Sequence, residues 1–461
     1  MESASPDAAV TALSAVSAST YWTAGAIFLI TFALIISEKV HKTKVALFAA
    51  SATIVLGILT QLEAFHSPHL GVDYNVIFLL VSMMLIVNIF GKSGAFEWMA
   101  LRLAKMADGR PYRIMVFFVV ATAVLSAFLD NVTTVLLFAP VTLVICSKLA
   151  LDPVPYLIME AIASNVGGTA TLIGDPPNLI IASRAQLSFM DFIYHLTPIV
   201  VILMVAVLIV TRFLFGGLKV AEDKRLQVLA MSEDGLIKDA ALLRKAGVVL
   251  LLTIVGFVLH DLLHLQPATI ALAGASLLLL ISRLEPHELL AEVEWSTLFF
   301  FIGLFIVIGG IVKVGIVADL SSQLIRLTAP TADSMFVTSM AILWFSGFLS
   351  AFVDNIPYVA TMAPLVAEMA GQVLQNGASG AAVTAETLHH PVVMPVWWAL
   401  ALGACLGGNG TAIGASANVV VIGLAEKAGQ RVSFLRFMAY GMPIMVLTLV
   451  LSTVYVWLRY Y

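Results

Sequence analysis

Asp130-Asn131-Val132-Thr133-Thr134 is followed by Gly167-Gly168-Thr169-Ala170-Thr171-Leu172-Ile173-Gly174-Asp175-Pro176-Pro177-Asn178, and the pair decides how this chain is read because it occurs twice. The second occurrence is Asp354-Asn355-Ile356-Pro357, then Gly407-Gly408-Asn409-Gly410-Thr411-Ala412-Ile413-Gly414-Ala415-Ser416-Ala417-Asn418. Both longer motifs read G-G-x-x-T-x-I-G-x-x-x-N and lie between apolar runs. Breaker residues and acids at matched places in two hydrophobic halves point to a transport site.

The surrounding composition says what kind of chain carries this repeat. Hydrophobic residues make up 61% of the 461 residues and charged residues 11%. The mean hydropathy is +1.02. A soluble domain carries about twice that charge. Apolar runs of spanning length recur throughout, so the expectation is an all-α multi-span membrane protein rather than a string of soluble domains. No basic cluster suggests nucleic acid. Cys146 and Cys405 belong to no CxxC pair, which leaves disulfide and zinc readings without support. No Walker-type loop is present, and neither cofactor nor metal is expected. Residues 1–20 are rich in Ala, Ser and Thr and lack Lys and Arg. They read as a loose tail rather than a cleaved signal peptide.

Ten full spans and two interrupted hairpins account for the pattern. The first half places spans near 21–37, 45–60, 75–91, 156–183 and 196–216. The second places them near 246–262, 268–282, 296–312, 393–425 and 438–458. The runs 114–147 and 336–372 carry Asp-Asn near their middles and read as re-entrant hairpins. Six segments assigned to one side (38–44, 92–113, 148–155, 217–245, 283–295 and 426–437) hold 19 of the 24 Lys and Arg. The positive-inside rule makes that side cytoplasmic and puts both termini outside. Five spans per half is odd, so the second half enters inverted and the hairpins open to opposite faces. Val72-Asp73-Tyr74 and Val293-Glu294-Trp295, with Lys92-Ser93-Gly94 and Lys313-Val314-Gly315, extend the repeat beyond the motifs. Segment 217–245, with six basic and five acidic residues, reads as a cytoplasmic linker. In 95–108, Phe96, Met99, Leu103 and Met106 fit a lipid-facing stripe opposite Glu97, Arg102 and Lys105, with an ordinary connecting helix as the alternative.

The chemistry follows from where the breaks fall. Bare backbone in lipid costs several kcal/mol per unsatisfied group, so breaks occur only where protein or water covers them. Glycine costs about 1 kcal/mol and proline about 3 kcal/mol inside a helix, so 167–178 and 407–418 serve something other than helix stability. An unwound stretch presents free N–H and C=O groups between two half-helix dipoles. Asn131, Asn165, Asn178, Asn355, Asn409 and Asn418 offer donors and acceptors without a charge to desolvate. Thr133, Thr134, Thr169, Thr171 and Thr411 add hydroxyls, and Gly168 a close-approach backbone. These are the candidate substrate-binding residues. Asp130, Asp354 and Asp175 are the candidate proton-coupling residues, since intramembrane acids are functional by default. The plainer reading of Asp130 and Asp354 is helix capping, and both roles fit together. Asp175 has Ala415 as its counterpart and also fits a turn-holding role. Glu160, opposite Leu400, either lines the path or satisfies a neighbour. Cys405 reads as a small buried filler. His260 and His264 lack the Glu of a zinc motif, and His389-His390 reads as a solvated loop pair.

Residues 130–142 (DNVTTVLLFAPVT) and 163–183 (ASNVGGTATLIGDPPNLIIAS) resemble the arsenite permease/NhaD group of the ion transporter superfamily, above all the branch of arsenite permeases and the pigment-cell P protein. DNIPYVATMAP and GGNGTAIGASAN agree with the same branch. NhaD-type antiporters share the Asp-Asn tips but differ at the GDPPN break. The resemblance implies a homodimer with an elevator mechanism, its scaffold at 21–91 and 246–312 and its transport part at 114–216 and 336–461. It also implies a docking place for a soluble ATPase partner. The expected function is a proton-coupled exporter of arsenite or antimonite in the cell inner membrane. A sodium/proton antiporter and an organic-anion carrier are the alternatives. No nucleophile–base pair or metal triad supports an intramembrane hydrolase, so no enzyme is expected.

Overall fold

The computed structural model describes residues 17–37, 39–67, 69–331, 334–374 and 383–461. Most of the expected N-terminal tail lies outside the described residues, and Ala18–Thr20 already belong to the first helix. The first repeat and linker run α1 (Ala18–Ser37), α2 (Lys42–Val55), α3 (Gln61–His66), α4 (Tyr74–Lys92), α5 (Ala95–Met106), α6 (Pro111–Ser126), α7 (Asn131–Leu149), α8 (Val154–Gly168), α9 (Pro176–Ala185), α10 (Phe189–Phe215) and α11 (Glu222–Leu229). The second runs α12 (Ala240–Val258), α13 (His260–Leu263), α14 (Pro267–Ser282), α15 (Pro286–Ala291), α16 (Trp295–Lys313), α17 (Ile316–Thr328), α18 (Phe336–Ser350), α19 (Asn355–Leu374), α20 (Ala385–Leu388), α21 (Met394–Gly407), α22 (Ser416–Lys427) and α23 (Phe434–Tyr460). No strand occurs among the described residues. Seven of these helices are long and apolar enough to cross a membrane. The protein is an all-α multi-span membrane protein whose halves repeat one helix order.

Each expected hairpin is two helices joined by a short turn, α6–α7 and α18–α19. Each expected broken span is likewise two helices, α8–α9 and α21–α22, with 169–175 and 408–415 unwound between them. Pro140 in α7 and Pro364 in α19 stand inside the second arm of each hairpin. A proline there removes a backbone donor, a cost that matched positions share. The arms α8 and α21 have 15 and 14 residues. At 1.5 Å per residue each is shorter than a bilayer core of about 30 Å.

Contacts divide the chain into two compact units. In the unit holding residues up to Asp73 and Ser296–Gln323, Tyr21 donates to Asp319 at 2.7 Å and Lys313 pairs with Glu63 at 2.7 Å. In the unit holding Tyr74–Trp295 and Leu324–Tyr461, α6 lies along α8 and α18 along α21. There α7 packs on α22, and α19 on α9, so each hairpin embraces the other repeat's broken helix. Trp397 and Trp398 are fully enclosed in α21.

Packing adds detail to two surface segments. Phe96 does not face lipid: it is buried against Val87 and Leu129, with Met99 packed on the same cluster. The linker contains α11, whose Val228 is wholly buried. Arg225 reaches the carbonyl and carboxylate of Asp108 at 2.7 and 2.8 Å and holds that carboxyl below its ordinary range. Lys105, aided by Arg102, does the same to Glu233. Lys238 N–H donates to the Ser93 carbonyl at 2.8 Å. The linker is therefore clamped along α5 and the α5–α6 turn.

Candidate functional site

The hairpin tips are built by capping. Asp130 has an extended backbone, and one carboxylate oxygen accepts from the N–H groups of Val132 and Thr133 at 3.0 Å each. Its other oxygen accepts from the Thr133 hydroxyl. Asp354 accepts from the N–H of Ile356 at 3.1 Å and from the Ser416 hydroxyl at 3.0 Å. Both acids are half-buried, while Asn131 and Asn355 beside them are buried. A surface cap faces bulk water; these caps face the interior of a helical bundle.

The unwound segments are held by a matched set of bonds. Ser126 donates to the Ser164 carbonyl, and Ser350 to the Ala404 carbonyl, both at 2.7 Å. Thr171 donates to the Ala127 carbonyl and Thr411 to the Ala351 carbonyl, fastening each break to its own hairpin. The Asn178 amide donates to the Thr171 carbonyl at 2.8 Å, and the Asn418 amide to those of Gly408 and Thr411 at 2.8 and 2.9 Å. Backbones approach so closely that a Cβ on Gly167 would meet the backbone of Ala123, and one on Gly407 that of Gly347. These contacts satisfy carbonyls that a break in lipid would leave bare.

An amide network then crosses between repeats. Asn165 donates to Oδ1 of Asn409 at 3.0 Å and of Asn418 at 3.1 Å. Its own Oδ1 accepts from Asn131 at 3.0 Å. Asn131 also donates to Asp175 at 3.1 Å, and Asn355 donates to the other Asp175 oxygen at 3.5 Å. Asp175, Asn165, Asn178, Asn409 and Asn418 are fully enclosed. Two atoms of the network, Asn131 Oδ1 and Asn409 Nδ2, have no partner, nor has the Thr134 hydroxyl. Buried polar atoms are nearly always paired, so an unpaired acceptor and donor in one network leave hydrogen-bonding capacity for a water or a polar ligand.

The structure thus brings Asn131, Asn165, Asp175, Asn355, Asn409 and Asn418 into one cluster. It gives Thr169 a different part, since its hydroxyl bonds back to the Asn165 carbonyl at 2.8 Å within its own helix end. Gly168 lies against the Gly174 backbone. Among the described residues, the hydrogen bonds of Asp130 stay at the start of α7. Glu160 is enclosed; one oxygen accepts from Thr142 at 2.5 Å and the other has no partner. His389 is not simply solvated: its ring lies 2.9 Å from the Ala185 carbonyl at the end of α9. Sequence reasoning missed Ser126, Ser350 and Ser416. The first two precede Asp130 and Asp354 by the same interval, which extending the repeat would have found. Cys405, read as filler, contacts Asn178 Oδ1 at 3.6 Å and stands where the first repeat has Asn165.

Comparison with known proteins places these features in company. A family model described as "Citrate transporter" matches residues 32–403. An uncharacterized transporter of Mycobacterium bovis is 47% identical over 94% of this chain and 97% of its own length. The P protein of Homo sapiens is 31% identical over 92% of this chain, which spans 58% of that longer protein. Among solved structures, the YdaH transporter of Alcanivorax borkumensis, reported as having an unusual topology, superposes with a TM-score of 0.53 at 13% identity, over 95% of this chain and 97% of its own.

Proposed function

The chain belongs to the citrate transporter family of secondary transporters, and from that premise we propose that it exports a small uncharged solute, arsenite or antimonite, in exchange for protons. The observation that carries this reading is the unpaired acceptor on Asn131, at a hairpin tip, and the unpaired donor on Asn409, in the second break, within one amide network. An uncharged hydroxylated solute offers both a donor and an acceptor and needs no counter-ion. Among the described residues, the amide network includes no Lys or Arg. Asp130, Asp354 and Asp175 supply the carboxylates that take up and release the coupling protons. Export proceeds as an elevator, with 114–216 and 336–461 moving within a homodimer in the cell membrane, cytoplasmic side at the linker. That linker is also where a soluble ATPase would dock.

A second reading, an organic anion such as citrate, is favoured by the family description and by the start of α22, where Ala415 gives no side-chain cap. An uncapped helix start attracts an anion. Against it stand Asp175, Asp130 and Asp354, whose charges oppose an anion unless cations or protons accompany it.

Everted vesicles containing the protein separate these readings. A pH gradient is established, and arsenite, antimonite, sodium, lithium or citrate is added in turn. Metalloid accumulation with gradient collapse supports the first reading. Collapse by citrate alone moves the conclusion to the second, and collapse by sodium alone replaces both with a cation antiporter.

A further inference from the structure

A polar cavity of about 620 Å³ lies away from the amide network, between the start of α4, the end of α9 and the α12–α14 connection. Its floor is Leu172, within the first break, and Leu179 of α9, each only 3% exposed. Leu172 directly follows Thr171, whose carbonyl holds the Asn178 amide. Leu172 is therefore at once part of the cavity lining and part of the break.

The walls are fixed in place. His260 Nε2 accepts from the Phe189 N–H at 3.3 Å. Ser188 and Asp191 form a capping box at the start of α10. The His389 ring braces the end of α9 at the Ala185 and Gln186 carbonyls, at 2.9 and 3.1 Å. The lining polar groups are amides, hydroxyls and imidazoles, with Asp261 the single carboxylate and no Lys or Arg. Ser183 and Gln186 on one wall, and Gln266 on the other, are exposed.

We propose that this cavity is the port through which solute reaches the first break from the face carrying the α12–α14 connection, and that it receives uncharged hydroxyl-bearing solutes. The identity of the solute rests on the reading above; the port itself does not. Binding pockets run about 300–1,000 Å³, more than a three-oxygen solute fills. The solute enters with its water, exchanges it for wall amides and hydroxyls, and sheds the rest where Leu172 gives way to the break. The lining disfavours anions because it offers them no fixed positive charge.

The test uses the full-length protein with Ser183→Cys or Gln266→Cys, on opposite walls so that a folding defect in one leaves the other. The native thiols, Cys146 and Cys405, are fully enclosed, which makes the unaltered protein the unlabelled control. A membrane-impermeant methanethiosulfonate is applied to intact cells and to everted vesicles. The expected result is labelling from one face only, with solute flux lost on modification. Arsenite at ten times its half-saturating level should slow labelling about tenfold, the free fraction left by mass action. Absent labelling, or modified protein that transports at the unmodified rate, overturns the port. So does labelling indifferent to arsenite when the unaltered protein carries it. If the unaltered protein moves no arsenite, the preceding reading falls. The port is then judged by whether Ser183→Cys modification blocks citrate- or sodium-driven proton flux: a block supports it and its absence overturns it.

Discussion

Replacing Asn165 by leucine removes the hub of the cross-repeat network. The wild-type side chain donates twice, to Asn409 and Asn418 at 3.0 and 3.1 Å, and accepts once from Asn131 at 3.0 Å. The Asn131 amide keeps Asp175 at 3.1 Å and so retains a partner. The two acceptor oxygens on Asn409 and Asn418 lose theirs. Each orphaned buried group costs about 1–3 kcal/mol, so the variant loses about 2–6 kcal/mol. Interhelical hydrogen bonds in membranes average about 0.6 kcal/mol, which over three bonds sets a floor near the lower figure. Leucine excludes the water that would otherwise repair the site, and its extra bulk acts in the same direction. Equilibrium unfolding in mixed SDS micelles measures the loss, and a cycle with Asn418→Leu should return a coupling of about 0.5–3 kcal/mol. A loss below about 0.5 kcal/mol, with no coupling, would refute the claim that this network ties the repeats together.

Asp130→Asn keeps a good N-cap, so unfolding should change by less than about 0.5 kcal/mol while exchange falls at least about a hundredfold in vesicles. Normal exchange in that variant removes Asp130 from the coupling. Gly167→Ala puts a Cβ into the Ala123 backbone and should cost about 1–3 kcal/mol or more, whereas Gly423→Ala, with nothing within 4 Å, should gain up to about 1 kcal/mol. Equal effects in the unfolding assay would show that the close approach at Gly167 is not a constraint. Glu233 has its pKa lowered by Lys105 and Arg102. Its contribution is therefore present above the ordinary glutamate value of about 4.3 and lost as pH falls through the lowered one. Pepsin should cut 217–239 faster as pH drops below about 4, and Glu233→Gln should be cut readily across the range. Equal cutting of both proteins throughout would show that the clamp does not hold the linker.

Helices were legible where hydropathy and breakers agreed. The span read at 75–91 is α4, Tyr74–Lys92, and the two Asp-Asn runs are helical pairs turning at those residues. The breaks were legible because Gly-Gly and Pro-Pro leave a helix few ways to continue. What the sequence could not give was which polar groups serve the fold. Thr171 and Thr411 look like ligand hydroxyls, yet both are committed to hairpin carbonyls. Asn165 and Asn409 lie far apart in the chain, and only packing of the two repeats makes them partners. For Phe96 the choice between a lipid-facing stripe and an ordinary connecting helix stayed open because helical spacing shows that an apolar stripe exists, not whether lipid or protein covers it.

The two broken helices share a shape but not a chemistry. Where one carries Asn165 and Asp175, the other carries Cys405 and Ala415. A perfectly mirrored pair would present the same barrier to traffic in either direction. Here the acid and the thiol have no counterparts in the other copy, so the inward- and outward-facing states are free to differ in energy. Duplication supplied the symmetry, and unequal divergence of the copies loosened it, while the gradients alone set the direction of net flux.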